Sequence, residues 1–213
     1  MKTIAHIFVA FIIIASCTDK KQSLFNGKTL DGWTIHIEND SLDPEDFFYV
    51  NDGMIETVGV PMGYLRTVDE FANYHLHVEW RYPEEPTNSG IFLHTTGPDQ
   101  IWASHFQAQL KYENAGDFIL NGVGLKATIG DSTYIGTEEV KPLIAKQHPS
   151  NEKAAGQEWN SYDIYCKGNT VEIKVNGLLQ NTATNLNAQK GCIGLQAEGS
   201  KIQFRNLWIE PLD

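Results

Sequence analysis

The chain has 213 residues, 41% of them hydrophobic, with 27 acidic against 16 basic residues and a formal net charge of −11. That balance, with no basic run and no basic patch interleaved with aromatics, argues against nucleic acid and anionic membrane surfaces as partners and suits a neutral ligand. The length allows one domain with a full core, and the three cysteines form no CxxC and no zinc-type spacing.

The first seventeen residues are not fold. Lys2, an apolar run from Ile4 to Ala15, and the Ile14-Ala15-Ser16-Cys17 sequence read as a secretory signal ending in a lipobox. The run is shorter than the roughly 20 apolar residues that span a bilayer. The expectation is a bacterial protein lipidated on Cys17 and held in the cell envelope, periplasmic or surface-exposed, by acyl chains alone. Residues 18–23 are then a tether, and residues 24–213 a single domain.

Leu24 to Trp33 holds two turn signals, Asn26-Gly27 and Asp31-Gly32, and Trp33 to Ile37 alternates as a strand. Residues 38–46 form an acidic loop. Phe47–Val50 and Met54–Val58, joined by Asn51-Asp52-Gly53, predict a hairpin, because Asp-Gly supplies the positive φ values of a tight primed turn. Tyr64–Thr67 is another short strand. In His75–Tyr82, Leu76, Val78, Trp80 and Tyr82 alternate with His75, His77, Glu79 and Arg81, so one strand face is apolar and the other carries imidazoles, a carboxylate and a guanidinium. Asn88-Ser89-Gly90 reads as a turn, followed by a strand from Ile91 to His94. Phe106, Ala108 and Leu110 alternate with Gln107, Gln109 and Lys111.

Residues 121–158 are the least regular part, with one strand at 125–129. A loop of that length is uncommon unless it has a task, and part of it is expected to cover a polar sheet face. Trp159 to Glu210 is β throughout, with turns at Lys167-Gly168-Asn169, Asn176-Gly177 and Glu198-Gly199-Ser200. Helical periodicity is absent beyond the signal. Short strands with turns about every 8–12 residues predict an all-β sandwich of two antiparallel sheets. Cys166 and Cys192 fall in separate strands and are expected to be buried, unpaired thiols.

Solvated strand faces ordinarily carry Thr, Ser, Lys and Glu. Gln107, Gln109, Arg81 and His94 instead suit forked hydrogen bonds to hydroxyls and carbonyls. His75 and His77 share a strand face but have no third metal ligand near them in sequence.

Taken together, Leu24-Phe25-Asn26-Gly27-Lys28, Leu30-Asp31-Gly32-Trp33, Glu79-Trp80-Arg81, Asn88-Ser89-Gly90-Ile91-Phe92, Gln107-x-Gln109, Glu158-Trp159-Asn160, Val175-Asn176-Gly177 and Gly194-Leu195-Gln196 through Phe204-Arg205-Asn206 resemble the family of 3-keto-disaccharide hydrolase domains. The resemblance implies a concanavalin A-like jelly roll, export, and action on sugars whose C3 hydroxyl has been oxidised to a ketone. Two positions depart from the family pattern. Gln107 stands where members often carry an acid, and Ala197-Glu198-Gly199 where many have Asp-His-Gly, which moves carboxylate chemistry to Glu198.

A ketone at C3 acidifies the C2 proton, and its loss followed by expulsion of the C1 oxygen cleaves the glycosidic bond. The candidate bases are His94, Glu79 and Glu198, with histidine favoured because its unperturbed pKa of about 6.5 suits proton abstraction near neutrality, and Arg81, Lys111 or a divalent cation can hold the enolate oxygen. Gln107, Gln109 and Gln196 suit sugar hydroxyls, and Trp102 suits stacking on a ring. The expected partner is an oligosaccharide or keto-glycoside. The other reading is a noncatalytic carbohydrate-binding module, since this architecture also hosts lectins.

Overall fold

The computed structural model describes residues 20–213, so the expected signal peptide, Cys17 and the first residues of the tether lie outside the described residues. Seventeen strands follow in order: β1 Gln22–Ser23, β2 Trp33–Ile37, β3 Phe48–Asn51, β4 Met54–Thr57, β5 Gly63–Thr67, β6 Tyr74–Arg81, β7 Gly90–Thr96, β8 Ser104–Gln109, β9 Phe118–Asn121, β10 Lys126–Ile129, β11 Ser132–Ile135, β12 Leu143–Ile144, β13 Asn160–Lys167, β14 Thr170–Val175, β15 Leu178–Ala183, β16 Cys192–Ala197 and β17 Ile202–Pro211. Among the described residues the helical content is one 3-10 turn at Pro44–Asp46, capped by the Asp43 carboxylate.

Two large antiparallel sheets form the sandwich. One has eight strands, ordered β15-β14-β13-β6-β17-β4-β3 with β1 pairing the side of β17, and the other has seven, ordered β12-β9-β8-β7-β16-β5-β2. The hairpin β10-β11 stands apart. The tight turns follow from residue type: Asp52 and Gly53 both have positive φ (48° and 74°), as do Asn176 and Gly177 (46° and 80°).

Strict alternation builds the core. In β6, Leu76, Val78 and Trp80 are buried while His75, His77, Glu79 and Arg81 are half-exposed. Across the sandwich Phe106, Ala108 and Leu110 of the β8 segment join the same apolar cluster, with Ile91 and Leu93 of β7 and Leu195 of β16. Each fully buried Leu, Ile or Phe contributes roughly 1.5–3 kcal/mol. Cys166 in the eight-stranded sheet and Cys192 in the seven-stranded one are both free and buried, and burial pushes the Cys166 thiol up to about 12. The irregular segment holds β11 and β12 besides the expected strand, and β12 extends the seven-stranded sheet by pairing with β9.

Candidate functional site

The residues opposite that core, on the outer face of the seven-stranded sheet, are unusually polar and buried. One row runs across the strands from Leu143 through Ile119, Gln107 and Phe92 to Gly194. Beside it Gln109 pairs with Gly90, and Gln196 with Tyr64. Gly90 is the empty position that shapes the floor. A Cβ there would come within 2.6 Å of Gln107 Cδ, so the absence of a side chain is what lets the Gln107 amide lie across β7.

The amide orientations follow from one backbone group. Leu110 N–H can only donate, and it donates to Gln109 Oε1 at 3.0 Å. That oxygen also accepts from Gln107 Nε2 at 3.0 Å, and the same Nε2 donates to Gln196 Oε1 at 3.2 Å. Gln196 must then present its nitrogen outward, and it donates to Glu198 Oε2 at 2.7 Å. The chain therefore ends on a carboxylate oxygen that accepts. Beneath it the His105 ring stacks on Phe92 with centroids 3.6 Å apart, and its Nδ1 donates to Ala103 O at 2.7 Å. Burial pushes the His105 imidazole down to about 4, so it is neutral at pH 7.

Gln107, Gln109, Gln196 and Glu198 line a cup of about 260 Å³ together with Asn88, Trp102, Ile119, Asn121, Lys141 and Leu143. Asn88 forms a bridge with Glu198, and its Oδ1 is buried with no hydrogen-bond partner among the described residues. Such an orphan acceptor is costly unless a ligand hydroxyl meets it. The Lys141 ammonium sits 3.9 Å from the centre of the Trp102 ring, taking one face of the indole. Burial lowers the Lys141 pKa, and the Glu198 charge acts in the opposite sense. The loop that carries Trp102 is pinned by Asp99, which receives Arg66 Nε at 2.6 Å, Arg66 Nη2 at 2.7 Å and the Tyr64 hydroxyl at 2.9 Å. The Arg66 hydrogen bonds hold the Asp99 carboxyl below the usual range.

A larger open groove of about 710 Å³ runs between residues 28–35 and 43–50. Of its acids, Asp31 accepts from the Thr29 hydroxyl and Asp43 from the Glu45 N–H.

Gln107, Gln109, Gln196, Glu198 and Trp102 are thus gathered at one cup, while four other expected residues are not. Glu79 and Arg81 belong to β6 in the opposite sheet and face outward on the far side of the sandwich. There Glu79 accepts from Arg205 Nε at 2.6 Å and Asn206 Nδ2 at 3.1 Å, and Arg81 Nε donates to Gln203 Oε1 at 2.6 Å while its guanidinium lies over Trp159. Their placement as candidate catalytic groups beside Gln107 and Glu198 is corrected, because alternation separates inside from outside without saying which sheet a strand joins. His94 is also displaced. A register break between Leu93 and Thr96 and a φ of 51° at His94 turn its ring to an edge-on contact with Tyr74, with Nδ1 3.1 Å from Ala188 O, so it is buried away from the cup. Lys111 lies beyond the end of β8, exposed and outside the lining, whereas Lys141 is part of it.

Asn88, Ile119, Asn121, Lys141 and Leu143 were not singled out from sequence. Asn88 carried a signal that was read as a turn, and Lys141 and Leu143 come from the long segment expected to cover the polar face. Among the described residues no group of three or more His, Cys, Asp or Glu is placed to hold a metal, and His75 Nε2 and His77 Nδ1 both meet Asp163 Oδ1, at 2.8 and 2.9 Å.

A two-sheet jelly roll of the concanavalin A type, with amide forks, a carboxylate, an ammonium and an indole on one outer face, defines the class of carbohydrate-active β-sandwiches. The chain belongs to the family of 3-keto-α-glucoside-1,2-lyase-like domains, whose model matches residues 20–210. Its fold is that of a candidate glycosyl hydrolase from Parabacteroides distasonis, at 21% identity and a TM-score of 0.66, with 91% of this chain and 94% of that one covered. A Bacillus licheniformis β-glucanase (12% identity, TM-score 0.59, 90% and 97% covered) and the carbohydrate-binding module CBM66 of Bacillus subtilis (10%, 0.59, 84% and 95%) share it too. No protein of curated function matches the sequence significantly.

Proposed function

We propose that the cup cleaves the glycosidic bond of a 3-keto-glycoside by elimination and hydration. Glu198 takes the C2 proton, the C–H electron pair becomes the C1=C2 double bond, and the C1 oxygen leaves with the bonding pair and gains a proton. Water then adds across the double bond, giving net hydrolysis. The Lys141 ammonium, replacing Lys111 and Arg81 in this role, faces the enolate oxygen, and Gln107, Gln109 and the Asn88 carbonyl engage the remaining oxygens and hydroxyls.

The observation that carries this reading is the composition of the cup: Glu198 is the one carboxylate among its described lining residues, and Gln196 holds it as an acceptor. Ordinary glycoside hydrolysis needs two carboxylates roughly 5–9.5 Å apart, whereas elimination next to a ketone needs a single base. Family membership supports the keto-sugar. The likeness in fold to a β-glucanase and to a carbohydrate-binding module is compatible with catalysis and with binding alone, and Gln107 in place of an acid favours the second reading, a noncatalytic carbohydrate-binding module. We further propose that the protein acts in the bacterial cell envelope, held by acyl chains on Cys17.

The deciding experiment pairs a 3-keto-glucoside with its unoxidised parent. Turnover of the first alone, with C2 deuterium exchanged into solvent and a loss of about 10²–10⁴-fold in Glu198→Gln, is the expected result. Binding of both with turnover of neither supports the module, and full retention of the C2 deuterium in product refutes the elimination.

A further inference from the structure

Two opposite charges share the cup without pairing. The Glu198 carboxylate takes its hydrogen bond from Gln196 Nε2 at 2.7 Å, and the Lys141 ammonium rests on the Trp102 indole, 3.9 Å from the ring centre. Among the described residues Lys141 Nζ has neither an ion pair nor a hydrogen bond, although it and Glu198 line the same cup of about 260 Å³. Other lysines of the chain are engaged: Lys146 Nζ donates to Glu113 O at 2.7 Å, and Lys190 Nζ lies 3.0 Å from Glu70 Oε2. Lys141 is also the one amine among the described lining residues.

A lysine kept apart from carboxylates in a partly desolvated site is the kind that adds to carbonyls, because burial works toward the unprotonated amine. Its contact with the half-exposed indole is weak, so a ligand can draw the nitrogen off the ring. A keto-sugar brings the carbonyl. A nitrogen close enough to serve the C3 oxygen is also next to C3 itself, one bond away.

We propose that Lys141 bonds to the substrate, forming a protonated imine at C3 through which the C2 proton is lost. This rests on the keto-glycoside reading of the cup and replaces the ammonium contact with the C3 oxygen by a covalent bond. Ammonium and ketone become imine and water: the nitrogen keeps one hydrogen, and the carbonyl oxygen departs with the other two. Glu198 then takes the C2 proton, the C–H pair becomes the C2=C3 bond, and the C=N pair returns to nitrogen. That transfer cancels a carboxylate charge and an iminium charge together, whereas the ketone would leave an enolate anion, and a partly desolvated site favours the route that removes charge. The nitrogen pair next re-forms C=N as C1=C2 appears, and the C1 oxygen leaves with its bonding pair and gains a proton. Water adds across C1=C2, and a second water splits the imine to restore ketone and amine.

The test uses an analogue that cannot eliminate, the 3-ketone of 1,5-anhydroglucitol, which has no leaving oxygen on C1. Cyanoborohydride reduces imines in preference to ketones. Wild-type protein incubated with both should gain the mass of the analogue less one oxygen, once per chain, on the peptide that carries Lys141. Lys141→Arg keeps the positive charge at an exposed position, so its melting temperature should match that of wild type. It should gain no mass and should lose turnover of the 3-keto-glucoside. Turnover by wild type without an adduct, an adduct spread over other lysines, or turnover retained in Lys141→Arg overturns this proposal alone. Absence of turnover of any keto-glycoside overturns the parent reading and this one with it.

Discussion

Gly90→Ala tests the floor of the cup most directly. The backbone at Gly90 is ordinary strand without positive φ, so alanine fits the chain and removes some unfolded-state freedom, a gain of about 0.4–1 kcal/mol. Its Cβ, however, would lie 2.6 Å from Gln107 Cδ and 2.8 Å from Cγ. The obstacle is a flexible side chain, so Gln107 must swing away and forfeit its bonds to Gln109 and Gln196, each of about 0.5–1.5 kcal/mol. The net cost is roughly 1–2 kcal/mol, a fall in melting temperature of about 2–8 °C for a chain this size. The functional cost should be larger, because Gln196 loses the partner that aims its nitrogen at Glu198; a loss of at least tenfold in keto-glycoside kcat/KM is expected. Differential scanning calorimetry and initial rates on Gly90→Ala, Gln107→Ala and the double variant separate the terms. If the clash is the cause, Gln107→Ala absorbs it and the double variant is no worse than Gln107→Ala alone. Additive melting losses, or a Gly90→Ala protein with wild-type stability and rate, refute the reasoning.

Three further outcomes are expected. His105 titrates near 6.5 when unfolded and at about 4 when folded, so unfolding takes up a proton between those values; its contribution of about 3 kcal/mol is present above pH 6.5 and lost as pH falls to 4, and urea melts of His105→Phe should show a flatter pH slope than wild type over that window, parallel slopes being the contrary result. Asp99→Asn breaks a half-exposed ion pair and should cost less than about 1 kcal/mol in stability, yet release the loop bearing Trp102, seen as faster amide exchange across 97–103 and a raised KM; unchanged exchange would show that Arg66 does not hold the loop. Cells fed a palmitate analogue should label the wild-type protein and leave Cys17→Ala unlabelled, and equal labelling would remove the lipid anchor.

The strands were legible because their faces alternate: β6 reads from sequence as buried and half-buried in strict turn, and the Asp52-Gly53 and Asn176-Gly177 turns demand residues that accept positive φ. Sheet membership was not legible. Glu79 and Gln107 show the same local pattern, and what separates them is the long-range pairing of β6 with β13 and β17, which no window of a few residues contains. His94 was misplaced because a bulge reverses the count of faces, and the only local trace is a non-glycine residue at positive φ that histidine does not announce. Gln107, Gln109 and Gln196 were recognisable by type, since buried amides on a sheet face need partners. Lys141 and Leu143 were hidden in a segment whose course is set by the two-residue pairing of β12 with β9.

The short strand β1 pairs Gln22 with Ile209 and Ser23 with Trp208, which fastens the start of the described chain to the eight-stranded sheet, whereas the cup opens on the seven-stranded one. The described N-terminal end and the mouth therefore belong to different sheets of the sandwich. A pull on that end would load β17 first and leave the glutamine floor, which is built on the other sheet, unloaded.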